Sequence, residues 1–469
     1  MITEEYEVDP LSLYACVKNN RHSICKCEGE TLNCEKQDIT RTDMYIRDES
    51  FTVKYANFKH NGIKTLQNKE ILPGLGYDIE VLDFSINFIY KIEDKCFNAF
   101  HSLKKLYLSS NRLKTVSNGF FTKKIGSSLH QLFLDDNQIT KIDPSTFQEL
   151  TSLKILVLDG NVGIQLNKKT FSTALANLEA LSLDGCKISQ LDDNVFERLL
   201  SLQQLSLRNN PITMIPKAIN GIPNLFGLDL SATEISELFA DQVSADYNLS
   251  EIYLSYMPYL YGIYNCAFCG LPNLQKVILS KNPQLYYIHE NAFGAVTKQK
   301  DLKFPIAGLK EFDISDCNFG DLPEKLLEWT KIENLKIHGN NFCCSAELEW
   351  LTKNKCIHFA VNPKCASPAS MKGKYFSSIS KSLANCNGEI ISSGPFAHPS
   401  TTYFTVMWAM ALFLTVVGFL ILSGLLYYYI RRIRGANCIY QRQVSNLGYR
   451  NLTTQAQQPQ QRQHKKLFI

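Results

Sequence analysis

The chain has 469 residues, 45% of them hydrophobic and 20% charged, with a formal net charge of +4. That is the composition of a globular protein and excludes global disorder. The charge is unevenly spread: residues 431–469 hold eight Lys or Arg and no Asp or Glu, which leaves 41 basic against 45 acidic residues before them.

A basic end on a mildly acidic body suits an anionic membrane surface better than nucleic acid, and no nucleic-acid partner is expected. Fifteen cysteines, grouped towards both ends of the body, point to an oxidising compartment.

In chain order, residues 1–15 come first. The start, MITEEYEVDPLSLYAC, has no cationic n-region and no apolar h-region, so no secretory signal is visible. Either the true N-terminus lies further upstream, which is the expectation, or a membrane helix later in the chain itself directs insertion. Residues 16–52 then bring Cys16, Cys25, Cys27 and Cys34, spaced C-x8-C-x-C-x6-C.

From 53 to 342 one template recurs, L-x-x-L-x-L-x-x-N/C-x-I. It is plain in LKKLYLSSNRL from Leu103, LHQLFLDDNQI from Leu129, LEALSLDGCKI from Leu178 and LQQLSLRNNPI from Leu202. Weaker copies begin at Val53, Ile79, Leu153, Leu225, Leu249, Leu274, Leu309 and Ile332, twelve units in all. Eleven spacings separate them. All lie between 23 and 26 residues except one of 35, which carries an insertion at roughly 295–307. This series resembles the leucine-rich repeats of extracellular proteins.

The template has a simple physical reading. Each L-x-x-L-x-L is a short strand with leucines pointing inward and the intervening residues outward. The Asn or Cys turns in and satisfies backbone groups at the bend. A Phe on the return arm (Phe100, Phe147, Phe171, Phe196, Phe268, Phe293) fills the convex side. No coil can bury its own apolar face, so the coils must stack. The expected fold is therefore an α/β leucine-rich-repeat solenoid. Its parallel sheet lines a concave face, and its convex arms are irregular or briefly helical.

A solenoid exposes its core at both ends. The first cysteine group resembles the N-terminal cap of such proteins, which implies the pairs Cys16–Cys27 and Cys25–Cys34. The second group, residues 343–386, holds Cys343 and Cys344 in NNFCCSAELEWL, then Cys365 and Cys386. It resembles the C-terminal cap, which implies Cys343–Cys365 and Cys344–Cys386. The usual cap has C-x-C where this chain has adjacent cysteines, and Cys356 is an extra. A zinc site is the rival reading of such a group; beside a repeat array, disulfides are expected and no metal or cofactor. Cys186 and Cys317 fall at the Asn position and read as buried thiols. Cys96, Cys266 and Cys269 fall on return arms and stay unassigned.

Residues 387–402 read as a stalk, and residues 403–430 form an uncharged run, YFTVMWAMALFLTVVGFLILSGLLYYYI. At about 1.5 Å per residue it spans a bilayer core of about 30 Å as one transmembrane helix. Arg431, Arg432 and Arg434 follow and place residues 1–402 outside the cell and 431–469 in the cytosol, at the plasma membrane. The basic, Gln-rich tail reads as disordered. Cys438 is a candidate palmitoylation site. The end Leu467-Phe468-Ile469 is a candidate strand for a PDZ-domain protein.

No H-E-x-x-H, G-x-S-x-G or P-loop pattern occurs, so an enzyme is not expected. Binding is the better class. Positions 3, 5 and 7 of each unit should face the hollow. Position 5 reads Tyr107, Phe133, Val157 in successive units, with Ile155 beside them at position 3. Position 7 reads Asp135, Asp159, Asp184, then Arg208. An apolar stripe flanked by carboxylates is a candidate dock for a protein ligand with apolar and basic side chains. The alternative is that the Asp column and the stripe serve the repeat itself. Among the tyrosines Tyr247, Tyr253, Tyr256, Tyr259, Tyr261 and Tyr264, only Tyr253 is expected on the concave face. Asn248, in NLS, is the candidate glycosylation site outside the cell. The resemblance implies a cell-surface recognition or adhesion receptor or co-receptor. The alternative is an accessory subunit that modulates a channel or receptor through its membrane helix and short tail.

Overall fold

The computed structural model describes residues 13–16, 23–46, 51–68, 71–243, 248–294 and 308–379. All of them lie in the first of two compact units, Met1–Ile391. The insertion at 295–307, the stalk, the segment 403–430, Cys386, Cys438 and the tail with Leu467, Phe468 and Ile469 lie outside the described residues. Among the described residues, no helix is long and apolar enough to cross a membrane.

The backbone is a β-solenoid. Its main sheet has fourteen strands, of which the first two, Lys26–Glu28 and Thr31–Asn33, form an antiparallel hairpin. Twelve parallel strands follow, one in each unit of the template, from Tyr55–Asn57 to Asn334–Lys336. They pair without register shift: Tyr107 faces Phe133, Phe133 faces Val157 and Val157 faces Ser182. The alternation follows from side-chain period two. In Lys105–Tyr107, Gln131–Phe133 and Ile155–Val157 the central leucine is buried and its neighbours half-buried.

Three devices join coil to coil. The first is the Asn ladder. Asn137 Nδ2 donates to Leu108 O at 2.9 Å and Leu134 O at 3.0 Å, while its Oδ1 accepts from Leu113 N at 3.0 Å. Asn61, Asn87, Asn111, Asn161, Asn210, Asn282 and Asn340 take the same buried place. Cys186 and Cys317 substitute there as buried thiols, with Cys186 Sγ donating to Leu158 O at 3.3 Å.

The second device is a phenylalanine spine in the return arms. Phe121 stacks on Phe147, Phe171 on Phe196 and Phe268 on Phe293, with centroids 6.5, 6.0 and 4.8 Å apart. Sequence reading placed Phe100 in this column and missed Phe121. By its spacing from the first residue of the unit, Phe97 holds the spine position, and Phe100 packs beside it at 6.4 Å.

The third is a turn after every strand. The eighth residue of all twelve units has positive φ, from His60 at 60° through Ser110 at 54° and Asn209 at 56° to Gly339 at 73°. Asn, Asp and Gly take this left-handed conformation readily. Ile86, β-branched and 41% exposed, adopts it at φ 54°, where its branched Cβ is strained.

At the N-terminal end Cys16 pairs with Cys27 and Cys25 with Cys34. At the other end the structure corrects the pairing implied by resemblance: Cys365 joins Cys344, not Cys343. Phe342 and Cys344 are buried while Cys343 between them is half-buried, so chain alternation points Cys344 inward to the buried Cys365. Cys344 is thereby unavailable to Cys386. Cys343 is itself in a disulfide. A further disulfide, unassigned from sequence, joins Cys266 and Cys269 on one return arm.

Candidate functional site

The main sheet sets two columns of outward side chains. In the first, Tyr107 and Phe133 stack almost flat, centroids 4.4 Å apart and planes 6° from parallel. Val157 continues the row, one strand on, beside Ile155. All four side chains are half-buried and none is in the core. The sequence-predicted apolar stripe is thus contiguous.

Beyond Val157 the side chains shrink. Ala180, Ser182, Ser206 and Gly227 take four of the six outward positions of the next three strands, and Gln204 and Asp229 the other two. Tyr253 then rises on the strand after them. A recess of ≈ 280 Å³ results, lined by Ile155, Val157, Ala180, Ser182, Ser206 and Tyr253 among others. Val157 and Tyr253 stand four strands apart, roughly 19 Å at the usual strand spacing. Sequence reading singled out the walls and missed the floor. The signal was present as Ala180 and Ser182 at positions 3 and 5 of one unit and Ser206 at position 5 of the next.

The position-7 carboxylates have a second occupation. Asp184 Oδ1 accepts from Ser206 Oγ and from Arg208 N, the latter at 2.9 Å. Asp159 Oδ1 accepts from Asp184 N at 2.8 Å, and Asp135 Oδ1 from Ser109 Oγ at 2.6 Å. Each carboxylate therefore stitches its coil to a neighbour. Burial pushes the Asp184 carboxyl up to about 6, and Asp159 up as well, each against the pull of these hydrogen bonds. At pH 7, above its pKa of about 6, Asp184 is still mainly anionic, but the oxygens of the column are partly committed.

Downstream, the face satisfies itself. Tyr253 OH donates to Glu251 Oε2 at 2.7 Å, and Lys276 lies over the Tyr253 ring at 5.2 Å. Lys276 and Lys336 both pair with Glu311, at 3.3 and 3.4 Å. Among the other tyrosines, Tyr256 and Tyr259 are exposed, Tyr261 and Tyr264 bond a carboxylate elsewhere, and Tyr247 lies outside the described residues. Asn248 is exposed. No group of three His, Cys, Asp or Glu among the described residues is placed to hold a metal.

Two families match the coils described above. "Leucine rich repeat" matches residues 78–123, 127–188 and 176–235. "BspA type Leucine rich repeat region (6 copies)" matches residues 244–323. The chain belongs to the leucine-rich-repeat family. Among solved structures, the octameric complex of Latrophilin 3 (Lec, Olf), Unc5D (Ig, Ig2, TSP1) and FLRT2 (LRR) contains a similar chain. The two are 19% identical over 78% of this chain and 99% of that one, with a TM-score of 0.49. In this leucine-rich-repeat protein the outward side chains of the main sheet fall at the x positions that the template does not specify.

Proposed function

We propose that the protein is a cell-surface recognition or adhesion receptor. It binds a protein ligand on the upstream half of its concave face, with Tyr107, Phe133, Ile155 and Val157 as the apolar contact. The observation that carries this is the stack of Tyr107 on Phe133 beside the recess. Rigid aromatics at the rim of a hollow are what a protein interface concentrates its binding energy on. Asp184 and its column supply negative potential at one side and favour a basic ligand edge. The uncharged run 403–430 supports a single membrane span, with the repeats outside and the basic tail inside. Exposed Asn248 is the glycosylation site in this reading, and Leu467, Phe468 and Ile469 the PDZ-binding end.

The test displays the full chain on cells, with a tag ahead of residue 16, and screens extracellular proteins for binding. Antibody access to the tag on intact cells checks the membrane orientation. A specific ligand should be lost when Tyr107, Phe133 and Val157 are all changed to serine at matched surface level. A ligand that binds this variant as well as the wild type would refute the concave-face reading.

A further inference from the structure

The coils that begin at Leu225, Leu249 and Leu274 carry a second, three-stranded parallel sheet: Glu237–Leu238, Gly262–Ile263 and Tyr287–Ile288. Leu238, Ile263 and Ile288 are buried in the core. The residues around them form an aromatic wall that the core does not take in. Phe239, Tyr286 and Tyr287 are exposed; Tyr261 and Tyr264 are half-buried. Phe239 lies on Tyr264 with centroids 5.0 Å apart at 16°, and Tyr261 on Tyr286 at 6.4 Å and 18°. Tyr264 can lie over its strand because residue 262 is glycine: a Cβ there would sit 3.0 Å from the ring.

A carboxylate sits within this wall. The hydroxyls of Tyr261 and Tyr264 both donate to Glu237 Oε1, that of Tyr264 at 2.9 Å. These bonds raise both phenols above their ordinary range, so they remain donors at physiological pH. Glu237 Oε2 makes no hydrogen bond with the described residues and is not sealed from solvent. With no ion pair to Glu237 among the described residues, a carboxylate set among aromatic rings favours a positively charged ligand.

We propose that this wall is a second binding surface, separate from the concave face, and that it takes an arginine side chain of a partner protein. Exposed ring faces beside a carboxylate favour arginine. Phe239 with Tyr264 and Tyr261 with Tyr286 pair within 18° of parallel, and Tyr287 tilts at 52° to Tyr264. A planar guanidinium stacks on an exposed ring such as that of Tyr286 and offers its N–H groups to Glu237 Oε2. A trimethylated ammonium needs walls on several sides. The two phenols hold the Glu237 carboxylate in place before the ligand arrives, and tyrosines lose little entropy on contact.

The experiment uses the full chain in detergent micelles and fluorescence polarisation of a labelled peptide, acetyl-Gly-Arg-Gly-Arg-Gly-amide. The same peptide with lysine or citrulline in place of arginine, and tetramethylammonium as competitor, separate the chemistries. The arginine peptide should bind, the lysine peptide several-fold more weakly and the citrulline peptide not at all. Glu237→Gln and, separately, Tyr286→Ala should each weaken binding by about tenfold. Tyr286 is 56% exposed, so its variant folds and keeps the test decisive even if Glu237→Gln does not. The concave triple-serine variant should bind the peptide unchanged. Equal binding of the citrulline peptide, unchanged binding by both wall variants, or full displacement by millimolar tetramethylammonium overturns the assignment.

Discussion

The ring of Tyr107 lies 4.4 Å from that of Phe133 because the two residues face each other across parallel strands in perfect register. The contact spans two coils and buries neither residue fully. An aromatic pair of this kind contributes about 0.5–1.5 kcal/mol beyond the area it covers. Tyr107→Ala, Phe133→Ala and the double variant, unfolded in denaturant, should therefore show a coupling energy of about that size. Zero coupling would mean that the rings move independently and that no rigid platform awaits a ligand.

Asp184 makes the fold respond to pH in a sense opposite to most carboxylates. Burial raises its folded pKa to about 6 from 3.8, helped by Asp159 and Asp229. The folded state thus binds the proton more tightly than the unfolded chain does. This group's contribution to stability is greatest at low pH and is lost as pH rises from 3.8 through about 6. Asp184→Asn keeps an oxygen for Ser206 Oγ and Arg208 N and removes the buried charge. The variant should melt higher than wild type at pH 8, with the gap closing by about pH 4. A lower melting point at pH 8 would show that the carboxylate's hydrogen bonds outweigh its desolvation.

Much of this was legible because the template fixes parity. Leucines at 1, 4 and 6 determine which residues face in, so Leu106 and Leu132 were assignable to the core and Tyr107 and Phe133 to the hollow without coordinates. The Asn ladder and the buried Cys186 follow from the same register. What parity could not give was choice between neighbours. Phe97 and Phe100 both suit a return arm, and only the distance from the start of the unit, shared with Phe121 and Phe147, puts Phe97 in the column. Cys343 and Cys344 are adjacent, so either could face in until Phe342 is seen to be buried on the same side as Cys344.

Properties shared between coils were harder still. The recess depends on Ala180, Ser182 and Ser206 lining up on two strands, and the wall around Glu237 on tyrosines 24 and 27 residues away in sequence. The Asp column shows the limit most plainly. Sequence places Asp159 and Asp184 on the hollow side but not whether their oxygens meet a ligand or the amides of the next coil.

The strained turn gives a stability prediction. At the eighth position Asp136, Asn209 and Gly185 serve in other coils, while Ile86 forces a branched Cβ into the same left-handed region at φ 54°. That conformation costs a β-branched residue on the order of 1 kcal/mol relative to Asn. Ile86 is 41% exposed, so little packing is lost on replacement. Ile86→Asn should stabilise the fold by about 1 kcal/mol and raise the denaturation midpoint. A destabilised variant would mean that the Ile86 side chain packs better than its exposure implies.

The cysteines give a chemical test of register. Cys186 and Cys317 sit in the Asn column, where burial pushes each thiol up to about 12. Only the thiolate reacts with an alkylating reagent, and both thiols are also sealed from solvent. Cys356, by contrast, is free and exposed. Brief iodoacetamide treatment of the native chain at pH 7.5 (roughly a neutral-buffer condition) should modify Cys356 and leave Cys186 and Cys317 intact. Denaturant should then open both. Peptide mapping of the same non-reduced sample should recover Cys344 joined to Cys365. Native modification of Cys186 would place it outside the core, and with it the coil from Leu178 would lose the register on which the concave face depends.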